Sequence, residues 1–226
     1  MHIPDGFIGI GASAAAGVGA AGWFAFAVRQ AKKYLTDRLI PLAALVAAFV
    51  FAAQMVNYPV LPGVSGHLIG GVLAAVLVGP SVGFMVMAIV LIVQAFLFAD
   101  GGLSALGLNI LNMGGVAAVG GYFLYRSIFR FTSRSPRAVA VSAGIAAFSS
   151  VPLAAAAFGA EFALAGTTSS ISIGSILVAL VGVHVVIGAG EGLLTFLVVG
   201  AVTRTRPDLV YGAPTYTGDR TEELVQ

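Results

Sequence analysis

The chain contains no cysteine. Disulfides, iron–sulfur clusters and thiolate zinc sites are thereby excluded, and any metal must be held by nitrogen or oxygen. Charge is scarce as well. Asp, Glu, Lys and Arg together make up 9% of 226 residues, far below the share typical of soluble domains. No Gly-x-x-x-x-Gly-Lys-Ser/Thr stretch occurs anywhere, so ATP hydrolysis through a phosphate-binding loop of that type is excluded. His-Glu-x-x-His is missing too, which argues against a zinc protease. The first apolar run is preceded by His2, Pro4 and Asp5 rather than by a basic segment, so no cleavable signal peptide is expected. No nucleic-acid partner is expected either.

What the chain has in abundance is apolar surface: 59% hydrophobic residues and a mean hydropathy of +1.02. An all-α integral membrane protein follows. Reading runs of about 20 apolar residues as spans predicts seven helices, near 7–28, 39–58, 67–79, 81–99, 103–125, 138–164 and 172–202. Helix breakers separate them at Pro59, Pro62-Gly63, Gly79-Pro80, Gly101-Gly102 and Pro136, and Pro152 is expected to kink the sixth. The third is short, about 20 Å against a hydrocarbon layer of about 30 Å, and is expected to tilt into the bundle or extend into the Gly79-Pro80 turn. One transmembrane domain over residues 1–203 and a tail over 204–226 is the economical division.

Basic residues are one-sided. Arg29, Lys32, Lys33 and Arg38 lie between spans one and two, Arg126, Arg130, Arg134 and Arg137 between five and six, and Arg204, Arg206 and Arg220 after seven. These are all 11 Lys and Arg of the chain. Seven spans put every one on the same side, the cytoplasm by the positive-inside rule. The protein is therefore expected in the plasma membrane with its amino terminus outside and its carboxy terminus inside. The outer segments hold His2, Asp5, His67, Asp100 and, close by, Glu161, and no competing cation.

The start Met1-His2 gives that face its chemistry. The α-amine of Met1, the amide nitrogen of His2 and the Nδ1 of its imidazole can close two fused chelate rings on one ion. Such an array is flat and leaves a fourth corner open, which suits Ni²⁺, Cu²⁺ or square-planar Co²⁺. A second imidazole, that of His67, can fill the corner, because the charge topology sets His2 and His67 on the same face. His67 is expected at or near a helix start, behind the turn-rich stretch 59–66. Binding requires protons to leave the amine, the imidazole and the amide, so affinity should fall as pH drops.

Several motifs in one order extend this picture: Met-His-Ile-Pro-Asp-Gly-Phe at 1–7, Ser65-Gly66-His67-Leu68 followed by Gly70-Gly71 and Gly79-Pro80, the run Gln94 to Gly102, Asn109 and Asn112 with Met113-Gly114, and Gly182-Val183-His184 with Gly190-Glu191-Gly192. Together they resemble the substrate-binding membrane component of energy-coupling-factor (ECF) transporters for cobalt and nickel, the CbiM/NikM family, over roughly residues 1–202. The resemblance implies the substrate-binding-component fold with an extra amino-terminal helix, and metal held by Met1, His2 and His67. It further implies Co²⁺ or Ni²⁺ as transported substrate for cobalamin synthesis or nickel enzymes. The partners it implies are a transmembrane coupling subunit, two ATP-binding cassette subunits and a small accessory membrane subunit. The chain itself is then no enzyme.

Ionisable groups at membrane depth are costly and usually have a role. His184 and Glu191, seven residues apart on one face of the last span, are expected to form a buried structural pair, with His184 about 18 Å below the outer surface. Asn109 and Asn112, at i and i+3, are expected to steady the amino-terminal segment, and Asp5 and Asp100 to orient a ligating imidazole. A rival reading comes from Gly63-Val64-Ser65-Gly66, which fits the Gly-x-Ser-Gly signature of rhomboid intramembrane proteases, with Ser65 as nucleophile and His184 as base. No histidine between His2 and His67 supplies the supporting imidazole that a rhomboid has.

Overall fold

The computed structural model describes residues 1–61, 64–167 and 172–212. Pro62-Gly63, the end of the connection 165–171, Arg220 and the rest of the tail beyond 212 lie outside the described residues. Within them the chain forms seven helices, with Leu106–Arg130 taken as one: α1 (Ile10–Ala31), α2 (Leu39–Gln54), α3 (Gly71–Val78), α4 (Pro80–Leu97), α5 (Leu106–Arg130), α6 (Pro136–Ala165) and α7 (Ile173–Thr205). A two-stranded antiparallel hairpin, β1 (Asn57–Leu61) and β2 (Val64–His67), separates α2 from α3.

Five of these helices, α1, α4, α5, α6 and α7, are long and apolar enough to cross a membrane. The other two are short for physical reasons. Pro59 pushes Tyr58 into extended backbone, so α2 stops at Gln54, four residues before the predicted end. The predicted start of the third helix becomes strand, and α3 shrinks to eight residues, about 12 Å, every one of them buried. Gly79, at φ +86°, ends it in a conformation that side chains disfavour, and Pro80 opens α4 at once. Thus α3 is a half-helix enclosed by protein, which is where a membrane fold tolerates broken backbone.

Serines cap the two longest helices. Ser135 accepts from the Ala138 amide and Ser172 from the Ser175 amide. These helices pack closely because Gly144 and Gly192 face each other: a methyl on either would stand 2.9 Å from the other's carbonyl oxygen. Helix α6 continues through Pro152, whose ring frees the Phe148 carbonyl. Gly188 of α7 lies against that oxygen. Helix α5 winds as a π-helix over Leu111–Gly120, wider than the regular turn on either side.

Two ends of the bundle differ. At one, Asp208 pairs with Arg38 and Arg206, and the Tyr211 amide donates to the Val76 carbonyl at 3.0 Å. At the other, residues 1–9 run across the helix ends, with a turn at Asp5-Gly6. Gly9 donates to Ala165, Thr167 to Phe7, and Gly102 to Ile3, at 2.8, 3.1 and 2.9 Å. These bonds draw the chain start into the protein instead of leaving it in solvent.

Candidate metal centre

Met1 and Ile3 are wholly buried and His2 nearly so. Asn109 of α5 holds this segment with both ends of its amide: the Ile3 N–H donates to Oδ1 at 2.8 Å, and Nδ2 donates to the Ile3 carbonyl at 3.2 Å. The side chain thereby joins α5 to the chain start. Asn112 does not share this link. Its amide donates to Glu161 at 2.8 Å instead, because winding changes at Leu111 and the i, i+3 face rule fails across a π-helical junction. Asp5 also departs from expectation. Its carboxylate accepts from the Leu103 and Ser104 amides and from the Ser104 hydroxyl, fixing the turn before α5, and touches no imidazole.

The His2 and His67 rings meet with centroids 4.7 Å apart at 34°. His67 is the last residue of β2, opposite Asn57, and not a helix start. Its Nδ1 lies 2.8 Å from the Leu68 carbonyl. An oxygen acceptor there requires the proton on Nδ1, so the buried, unpartnered Nε2 carries a free lone pair. On the other side of His2, Nε2 stands 3.6 Å from Oδ2 of Asp100, close but beyond hydrogen-bond length. Gly101, at φ +93°, closes over the same ring: a methyl group there would be 2.7 Å from His2 Nδ1.

Below the rings the turn 67–70 is held from two helices. Glu191 of α7 accepts from the Ile69 amide at 2.5 Å and the Gly70 amide at 2.8 Å. Gln54 of α2 donates to the Ile69 carbonyl at 2.7 Å. His184 and Glu191 therefore do not bond to each other; His184 directs Nδ1 to the Leu180 carbonyl at 2.6 Å and leaves Nε2 without a partner. Nor does His184 lie far below the outer segments. A Cβ on Gly66 would sit 3.7 Å from its Cε1. The 33 residues of α7 span about 50 Å, so counting depth from its first residue misplaces the ring.

Burial disfavours the charged forms of the amine and of both imidazoles. Burial lowers the Met1 amine from 8.0 to about 4, against the opposing pull of Asp100 and Glu191. Burial also holds His2 and His67 well below the usual imidazole value, with the terminal amine as a further cause. Asp100 is pushed up by burial and drawn down by the amine. Among the described residues no three His, Asp or Glu side chains form a group that could hold a metal. An ion bound here would have to draw on the terminal amine and backbone as well as on imidazoles.

Ser65 makes no hydrogen bond to His184, whose Nε2 is unpartnered and whose Nδ1 is taken by Leu180. The Ser–His contact that a serine nucleophile requires is therefore missing among the described residues.

A family model described as the cobalt uptake substrate-specific transmembrane region, CbiM, matches residues 2–209. The chain belongs to the CbiM family. Within reach of that family, a Haloquadratum walsbyi protein provisionally named for metal transport is 39% identical over 93% of this chain and 94% of its own length. The cobalt transport protein CbiM of Geobacter sulfurreducens is 31% identical over 93% of this chain and 61% of its own. A fused nickel transport protein, NikMN, of Rhodobacter capsulatus is 30% identical over 93% and 64%. Among solved structures, a truncated transition metal transporter superposes with a TM-score of 0.83 at 28% identity, covering 90% of this chain and 99% of that one. This CbiM-family chain is thus a multi-pass membrane component of cobalt or nickel transport.

Sequence reasoning had no access to Gly101 or to the Gln54 and Glu191 clamp. Gly101-Gly102 after a helix signals a turn, but not that an imidazole lies beneath it. A buried Glu in an apolar helix signals a partner without naming the backbone amides of a distant turn.

Proposed function

We propose that this CbiM-family chain is the substrate-binding subunit of an ECF-type importer and captures Co²⁺ or Ni²⁺ on the extracytoplasmic face. The Met1 amine, the His2 amide nitrogen and Nδ1, and the His67 Nε2 are the donors, closing a four-nitrogen plane. The observation that carries this reading is a fully buried α-amine beside two imidazoles whose rings meet at 4.7 Å, one with its lone pair bare. When His2 binds through Nδ1, its Nε2 carries the proton and can donate to Asp100, the carboxylate–histidine arrangement that orients metal ligands.

Residues 1–203 form the membrane domain of this reading and 204–226 its cytoplasmic tail, with the amino terminus outside. Since the chain has no phosphate-binding loop, a coupling membrane subunit and two ATPase subunits supply the energy, with a small accessory membrane subunit beside them. Planar nitrogen donors with a deprotonated amide suit Ni²⁺ and square-planar Co²⁺ alike. Isothermal titration of Ni²⁺ and Co²⁺ into protein with a free Met1 tests the reading. Adding one residue before Met1, or His2→Ala, or His67→Ala, should abolish retention. Wild-type affinity in the extended protein would refute the chelate.

A further inference from the structure

We propose that Glu191 is the residue that positions His67 for metal capture, tying the site to helix α7 through the backbone of Ile69 and Gly70. This rests on the functional reading above and assigns Glu191 a task in it beyond helix packing.

Glu191 is 1% exposed and is the nineteenth residue of α7, with glycine on either side of it. A carboxylate so placed is costly unless its oxygens are met by donors. Both are met, and by consecutive backbone amides of the turn that follows His67. Gln54 holds the carbonyl of the same Ile69 from the opposite helix, and Val50 leaves no room for a side chain at Gly70, where φ is +75°. Carboxylate, carboxamide and steric wall therefore fix the two residues after Leu68, whose own carbonyl sets the His67 ring. The chain of constraint runs from α7 to Ile69, to Leu68, to the Nε2 lone pair.

Charge supports the same assignment. A divalent ion with one deprotonated amide and neutral amine and imidazoles leaves a net positive charge among buried groups. Burying it is unfavourable without a nearby anion. Glu191 is buried, fixed and close enough to the Met1 amine to act on it electrostatically.

The close approach of Gly192, the residue after Glu191, to Gly144 packs α7 against α6 at the level of the carboxylate.

The test is Glu191→Gln, which replaces an acceptor oxygen with an amino group facing a backbone N–H. Ni²⁺ binding is read by isothermal titration and by the visible d–d absorption of the bound ion. Thr203→Ala, which removes a buried hydroxyl that donates to Val199 on the same helix far from the site, serves as the control for plain helix damage. Expected are a Kd about 10–100-fold weaker, a shifted d–d band, and partial recovery in Glu191→Asp. Thr203→Ala should bind as wild type. Should Glu191→Gln not fold, Glu191→Asp carries the test alone, with a weaker Kd and shifted band expected and wild-type values overturning the proposal. Folded Glu191→Gln with wild-type Kd and band would overturn it whatever its melting temperature, and would leave the metal reading intact. Wild-type protein that binds neither Ni²⁺ nor Co²⁺ would overturn both.

Discussion

A change of pH is the perturbation that separates the proposed buried chelate from the same donors in water. In a free peptide the α-amine and imidazoles titrate near 8 and 6.5, so at pH 7 a metal would displace about 0.9 proton from the amine, about 0.25 from each imidazole and one from the amide, roughly 2.4 in all. In the folded protein the amine lies at about 4, and both imidazoles are held well below their usual value by burial. All three are already neutral at pH 7, and only the amide proton remains to leave. The expected release is therefore about one proton per ion, and affinity should fall about 100-fold from pH 8 to pH 6, against roughly 10⁵-fold for unshifted groups. Titration calorimetry in two buffers of different ionisation enthalpy counts the protons directly. Release of two or more per ion at pH 7 would refute the reasoning, because the amine would then be charged in the folded protein and could not be buried as described.

The same shifts set the stability of the metal-free protein. The unfolded amine binds a proton below 8.0 and the folded one only below about 4, so stability rises with pH between those values, by about 5 kcal/mol at most; a melting temperature at pH 5 equal to or above that at pH 8 would contradict it. Gly101→Ala would put a methyl 2.7 Å from His2 Nδ1 at a positive φ, so about 1–3 kcal/mol of strain and a 10–100-fold weaker Kd for Ni²⁺ are expected. Wild-type titration of that variant would show the ring is free to move. Asn109→Ala strips the buried Ile3 N–H of its acceptor, at about 1–3 kcal/mol, and should weaken metal binding while leaving the helical far-UV signal unchanged. Ser65→Ala should retain Ni²⁺ normally, and wild type should take no fluorophosphonate label; Ser65-dependent labelling would revive the protease reading.

Hydropathy made the helices legible, since an apolar run of helical length reads the same in sequence and in structure. It failed where apolar residues serve another backbone. The ends read as helix, 55–58 of the second span and 67–70 of the third, instead belong to the hairpin and its flanking turns, and a hydropathy window has no means of registering that difference. Convergence of Met1, His2 and His67 was legible because it depended on parity of crossings and on where Lys and Arg fall, both countable. Asn112, His184 and Glu191 were not, because each assignment assumed an ideal helix. Asn112 sits past the onset of π winding, and His184 and Glu191 sit on a helix much longer than the bilayer core, where depth cannot be counted from one end. The bonds that define their roles join residues 49 and 122 positions apart, pairings that no local pattern records.

Those long separations bear on how the protein is made. Ile3 waits for Asn109, 106 residues later, and the turn after His67 waits for Glu191, which belongs to the last helix. Synthesis and insertion run from the amino terminus. A chain halted before α7 would carry every proposed donor and still lack the clamp that aims one of them. Translation thus delivers the proposed ligands first and the residue that holds the turn behind His67 last.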